Sequence, residues 1–185
     1  MEHSPVSIHS EMATSEATID SIYHPKTGTW QYIVADPHAL DAIVIDPVLD
    51  YDPIAQTIST ETADGLRALV HAKGYRITRI LETHVHADHL TAAAYLQDAF
   101  SRQQKLQPLV CIGKRIRAVQ QSFASRYGVP DADLKKAFDY LLEDDETFPI
   151  GSMTAKVLHL PGHTPDHVGY IIQGRSSCCV FQNVG

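Results

Sequence analysis

His84-Val85-His86-Ala87-Asp88-His89 is the stretch that decides the fold. Four of these six residues can bind a metal, and they follow Ile77 to Leu81, an apolar run that reads as a buried strand. A strand that stops and releases three imidazoles and a carboxylate into one turn builds a metal site. His84 and His86 stand two apart, so at an extended strand end their side chains share a face and can converge on one ion. Asp88 and His89 then serve a neighbouring position. Histidines also decorate turns and accept ordinary hydrogen bonds. That explanation fits poorly here, because ionisable groups seldom cluster beside a buried strand without a partner.

The remote ligand is His163. Ala155 to Leu160 alternates as a strand and stops at Pro161-Gly162, and His163 follows at once, which is how a second loop delivers one imidazole to a site begun elsewhere. His159 and His167 lie in or beside strands and read as satisfied structural histidines. His24, His38 and His71 fall in turn or helix contexts and receive no role.

Around these two loops the chain alternates strand and helix. Trp30 to Ala35 and Ala42 to Ile45 are β-rich and flank the turn-forming Asp36-Pro37-His38, so they predict a hairpin. Asp46-Pro47 ends it; Asp46 reads first as a turn-former, with a place facing the metal site as the alternative. Ala63, Leu66, Leu69 and Val70 recur at helical spacing between Thr60 and Lys73, and Gly74 is the stop. Helical character resumes from Leu90 to Phe100, placing the histidine cluster at a strand-to-helix junction. Leu109 to Ile112 is a further strand, Gly113 opens a helix carrying Ile116, Val119 and Phe123, and Asp131 to Leu142 is another amphipathic segment. Lys114, Arg115 and Arg117 read as a solvated helix face rather than a clamp for an acidic ligand. Glu143 to Glu146 is an acidic turn. Val168 to Ile172, a turn at Gly174, and Cys178 to Phe181 complete the pattern. Strand, helix, strand is the signature of an α/β layer.

Composition sets the outer limits. The chain has 185 residues, 44% hydrophobic and 20% charged, which suits one globular domain with a real core. A formal charge of -7 argues against nucleic acid or an anionic membrane as partner and leaves a small molecule as the default. No apolar stretch approaches the roughly 20 residues that span a bilayer. Residues 1–18 read as a disordered tail without the features of a secretion signal, on a domain spanning 19–185, and the expected compartment is the cytoplasm, with the mitochondrion as the alternative. Cys111, Cys178 and Cys179 make no disulfide framework and read as reduced core thiols.

The two loops together, His84-Val85-His86-Ala87-Asp88-His89 and Pro161-Gly162-His163-Thr164, resemble those of the metallo-β-lactamase superfamily. Thr27-Gly28-Thr29-Trp30-Gln31-Tyr32, Val44 to Asp52 and Leu81-Glu82-Thr83 look like its persulfide dioxygenase branch. The resemblance covers Ile19 to Phe181 and implies an α/β fold with an αβ/βα sandwich. It further implies one ferrous iron held by two histidines and one aspartate, with glutathione persulfide as substrate and sulfite as product. By resemblance the two histidines are His84 and His163, while His86, Asp88 and His89 orient ligands and water. In the glyoxalase II-like hydrolase branch the same three residues would instead complete two Zn²⁺ sites, and the motif alone does not separate the branches. Homo-oligomerisation stays open.

One departure from the family stands out. Its last core strand runs into a Gly-Asp step whose aspartate is the carboxylate ligand, whereas here Val180-Phe181 is followed by Gln182-Asn183-Val184-Gly185. The expectation is a truncated domain with an incomplete second half, inactive in the form of this chain. Uncovering even a few hundred Å² of sheet, at about 25 cal/mol per Å², removes several kcal/mol from a total stability of about 5 to 15. Marginal stability, checked by chemical denaturation, is the corresponding expectation.

Overall fold

The structure is a computed structural model that describes residues 16–130, 132, 134, 136–173 and 178–181. Its strands open with β1 (Thr18–His24), β2 (Thr29–Ala35), β3 (Asp41–Ile45), β4 (Val48–Asp52) and β5 (Thr57–Ser59). Helix α1 (Glu61–Lys73) follows, then β6 (Arg76–Glu82), β7 (Leu90–Thr91), α2 (Ala93–Gln104), β8 (Leu109–Gly113) and α3 (Ile116–Tyr127). The chain continues through β9 (Tyr140–Leu142), β10 (Thr147–Ile150), β11 (Met153–His159), β12 (Val168–Gln173) and β13 (Cys178–Phe181). Residues 1–15 of the expected tail, the start of the segment at Asp131, the turn at Gly174 and the stretch from Gln182 to Gly185 lie outside the described residues, as do the side chains of Cys178 and Cys179.

A mixed sheet in the order β1-β2-β3-β6-β8-β9 is the backbone of the molecule. Its β3, β6, β8 and β9 run parallel, as strand-helix-strand connections require, and β1 and β2 extend it antiparallel. Strand alternation sorts its side chains between two cores. Ile33, Ala35, Ala42 and Val44 pack under α1 and α2, against Leu66, Val70, Leu96 and Phe100. Val34, Ile43, Ile45 and Leu81 face the other way, onto Phe148, Val157, Val168 and Tyr170 of the second sheet, β10-β11-β12-β13. A bulge between Ala42 and Ile43 shifts the register against β6, so that Ile77 and Ile80, three apart, share the helix face.

The predicted hairpin is β2-β3, with Tyr32 opposite Ile45 and Ala35 opposite Ala42. Gly74 stops α1 as expected: it takes φ 68° and donates to His71 O at 3.1 Å. Three expectations need correction. Leu90 and Thr91 do not begin a helix; they pair with Leu49 and Val48, and α2 starts only at Ala93. Gly113 ends β8 rather than opening α3, and it is glycine because a Cβ would lie 2.7 Å from Val168 Cγ1, where the two sheets approach closely. The segment expected from Asp131 ends in strand β9, which lies parallel to β8. Cys111 is a buried thiol, as expected, with its pKa pushed up to about 12 by that burial.

One loop residue ties the two sheets together. Asp36, in the hairpin turn and fully buried, accepts hydrogen bonds from His38 N (2.8 Å), Ala39 N (3.2 Å), Ser152 N (2.5 Å) and Ser152 Oγ (2.7 Å). Burial alone would raise its pKa, but the donors from Ser152, His38 and Ala39 outweigh it and hold the value at about 2. Because the folded value lies below the unfolded 3.8, this contribution is complete above about pH 4 and is lost as pH falls towards about 2. Asp36→Ala, which strands several buried donors, is expected to cost about 3 kcal/mol at pH 7 and to flatten the acid limb of stability between about pH 4 and 2, read by denaturant titration across pH. An unchanged acid limb would contradict this role.

Candidate metal centre

The centre forms where β6 runs out of the parallel sheet. Residues past such a strand end are freed from pairing and face the crevice above the carboxyl edge. Thr83 and His84 stay buried, Val85 and Ala87 turn outward, and the chain returns to the β4-β7 ribbon at Leu90. The loop between β11 and β12 arrives opposite, fixed by Leu160 N to His167 O at 2.9 Å and by Val168 N to Thr83 O at 2.8 Å.

These two loops bring all the expected ligands into one neighbourhood. Ring centroids are 4.1 Å apart for His84 and His86, 4.2 Å for His86 and His89, and 4.8 Å for His84 and His163. Asp88 lies beside His89, with Oδ2 3.3 Å from Nδ1, and its side chain is half exposed. Ligand atoms of His86, Asp88 and His89 all fall within 4.8 Å of one another. His84 is buried, whereas His163 is exposed at the mouth of a 260 Å³ cavity that Thr27, Thr29 and Asp88 also line. A second cavity of 740 Å³ adjoins it, walled by His24, Lys26, Leu49, Tyr51, His86 and His89.

Beneath the expected ligands lies a carboxylate pair that left little signal in the local sequence. Asp46 adopts φ 50°, left-handed for a residue other than glycine, and is completely buried. It accepts Thr83 N at 2.7 Å, Thr83 Oγ1 at 2.8 Å and His86 Nε2 at 3.1 Å. Of the two sequence readings of Asp46, the one facing the site is therefore correct. Glu82 Oε2 is 3.3 Å from the same His86 nitrogen, and Thr91 Oγ1 donates to its other oxygen. Glu82 sits four residues before His86, a spacing that was the available clue.

The electrostatics follow from this packing. Burial raises Glu82 to about 7, reinforced by the charge on Asp46 and opposed by His86. Burial works against a charged His86, but its bonds to Asp46 and Glu82 win and lift it to about 10. His84 is lowered to about 4 by burial and by His86, so it presents a neutral imidazole. Asp46 stays ionised, its burial overcome by His86 and Thr83.

Several other histidines find places. His159 is hydrogen-bonded, Nε2 lying 3.0 Å from Pro165 O, as expected of a structural residue. His24 gained no role from sequence, yet it is buried in the cavity wall and begins a chain running from Nδ1 to Thr27 Oγ1 (2.8 Å), to Thr29 Oγ1 (2.8 Å) and to His89 Nδ1 (3.4 Å). His167 differs from expectation: it is buried, and neither ring nitrogen has a hydrogen-bond partner among the described residues. The basic residues near α3 are paired locally, Arg115 with Asp144 at 2.6 Å and Lys114 with Glu143, which agrees with a solvated face.

With this geometry in place, comparison with known proteins assigns the family. The signature described as the metallo-beta-lactamase superfamily matches residues 25–177. The chain belongs to the metallo-beta-lactamase superfamily. A Burkholderia pseudomallei protein named "Probable metallo-hydrolase" is 37% identical over 157 residues, covering 84% of this chain and 51% of that protein. Glyoxylase B2 of Dictyostelium discoideum is 33% identical, covering 88% and 55%. The bovine mitochondrial persulfide dioxygenase ETHE1 is 28% identical, covering 84% and 48%, so the branch suggested by the sequence is among the relatives. The crystal structure of ETHE1 from Myxococcus xanthus superposes with a TM-score of 0.60 at 22% identity, covering 84% of this chain and 53% of that one, and shows the shared fold. This chain thus spans about half the length of these relatives. Among the described residues no helix is long and apolar enough to cross a membrane.

Superfamily members bind metal ions, and the donor chemistry here fits one. His89 Nε2 is buried without a hydrogen-bond partner among the described residues, and a neutral His84 faces His163. Asp46→Ala removes the acceptor of three buried donors and leaves the Glu82-His86 pair unbalanced. It is expected to cost about 3 to 5 kcal/mol in chemical denaturation, with Asp46→Asn milder. Equal stability of Asp46→Ala and the parent protein would refute the role given to this carboxylate.

Proposed function

We propose that the chain carries the mononuclear metal centre of a persulfide dioxygenase, with one ferrous iron held through His84 and His163. The substrate is a small acidic thiol persulfide such as glutathione persulfide. The choice of branch rests on the likeness of Thr27 to Tyr32, Val44 to Asp52 and Leu81 to Thr83 to persulfide dioxygenases, and the bovine relative supports it. His86 Nε2 lies 3.1 Å from Asp46 and 3.3 Å from Glu82, a carboxylate-oriented imidazole whose Nδ1 faces Asp88 at 3.9 Å.

Ferrous iron, when bound, supplies open positions for the terminal sulfur and dioxygen. Overall, glutathione persulfide, dioxygen and water give glutathione, sulfite and two protons. The sulfur-sulfur bond breaks, and the terminal sulfur loses the four electrons that dioxygen gains. The chain's own residues bind and orient. Lys26, in the wall of the larger cavity, offers a cation to the substrate's carboxylates, and Leu49 and Tyr51 offer apolar contact. Thr29 and Asp88 fix the ring of His89 at the cavity floor.

A glyoxalase II-like zinc hydrolase is the second reading, favoured by the proximity of His86, Asp88 and His89 and by the likeness to the Dictyostelium protein. Loading the purified protein anaerobically with Fe²⁺ and following dioxygen uptake with glutathione persulfide separates the two. One iron per chain, lost in His84→Ala and in His163→Ala, is expected, and persulfide-dependent uptake would show that this chain is active without the family's Gly-Asp carboxylate. Two equivalents of zinc with thioester hydrolysis and no dioxygen uptake would replace the dioxygenase with the hydrolase.

A further inference from the structure

His167 is 1% exposed, and both its ring nitrogens lack a hydrogen-bond partner among the described residues. A buried imidazole is ordinarily hydrogen-bonded, since leaving its polar atoms unpaired is costly. Packing does not explain its position by default either, because the ring lies against imidazoles. Its centroid is 4.9 Å from that of His84, with an interplanar angle of 30°, and 5.9 Å from that of His163, at 76°.

The ring spacing of two of these pairs is of the size that shared coordination gives. With metal-nitrogen bonds of about 2.0 to 2.1 Å, a ring centroid sits about 3.2 Å from the ion, and two adjacent imidazoles have centroids about 4.5 to 5.2 Å apart. The pairs His84-His163 at 4.8 Å and His84-His167 at 4.9 Å fall inside that range. His163-His167, at 5.9 Å, is wider, and His163 is the exposed member of the three. The His167 backbone is pinned on both sides, its carbonyl accepting from Leu160 N and the next residue donating to Thr83 O, one position from His84. Rigid support of this kind is what a ligand position needs.

We propose that His167 is a metal ligand, forming with His84 and His163 a three-imidazole set for the ion of this centre. The proposal rests on the assignment of that ion to His84 and His163. It makes the loop from Pro161 to His167 the donor of two ligands rather than one.

Histidine-ring ¹⁵N NMR of the unaltered chain, titrated with Zn²⁺, tests it directly. One ring nitrogen of each of His84, His163 and His167 is expected to shift on binding. Shifts at His84 and His163 without His167 would overturn this inference alone. No shift at His84 or His163 would overturn the underlying assignment as well. His167→Leu adds an independent readout in the metal-free and zinc-loaded protein. Because the substitution removes an unpartnered polar group, the metal-free variant is expected to be at least as stable as the parent. Its zinc affinity is expected to fall by more than the roughly 10- to 100-fold typical of losing a neighbour that only orients a ligand. A variant with parental affinity would contradict the proposal.

Discussion

The Asp46 carboxylate is the constraint on which the site depends. It sits at the end of β3, fully buried, and bonds to Thr83 at the end of the neighbouring parallel strand β6. Two strand ends are thereby fastened at the point where the sheet gives way to the ligand loop. The same carboxylate fixes His86 and, through its charge, raises Glu82. Buried charges are tolerated only when paired and fully hydrogen-bonded, so the geometry of Thr83, His84 and His86 is determined as a unit rather than residue by residue. The positive φ at Asp46 is consistent with that role, since backbone strain of this kind persists only where surrounding structure enforces it.

Around this fastening the fold works as a scaffold with two cores. The helix-facing core under α1 and α2 positions β6, and the core between the sheets positions β11 and β12, whose connecting loop carries His163 and His167. The proposed ligands therefore come from opposite layers. They meet because Val168 N binds Thr83 O at the seam. Asp36 performs the matching task at the far edge, joining the β2-β3 turn to Ser152.

Much of this was legible in the sequence, for local reasons. The β-rich runs of β2 and β3, the alternation in β11, the helical spacing of Leu66 and Val70, and the Gly74 stop are short-range patterns with short-range causes. The two loops of the candidate metal centre were legible because imidazoles were concentrated after strand endings. Polar edge elements were not. β1 and β5 bury little, and Leu90-Thr91 is too short to show a period. The partners of Asp36 and Asp46 lie 116 and 37 residues away, so turn propensity was all that could be read locally. His167 was misread for the same reason: a histidine beside a strand is usually satisfied, and only the folded chain shows that this one has no hydrogen-bond partner among the described residues and lies against two other histidines.

The central claim is one ion at His84 and His163, with His86 retained by its carboxylates. X-ray absorption spectroscopy at the metal edge of the reconstituted protein tests it most directly. A single metal coordinated by imidazole nitrogens, without a metal neighbour, is the predicted result. Metal-metal scattering at about 3.5 to 4 Å, the separation of two-metal sites, would contradict it.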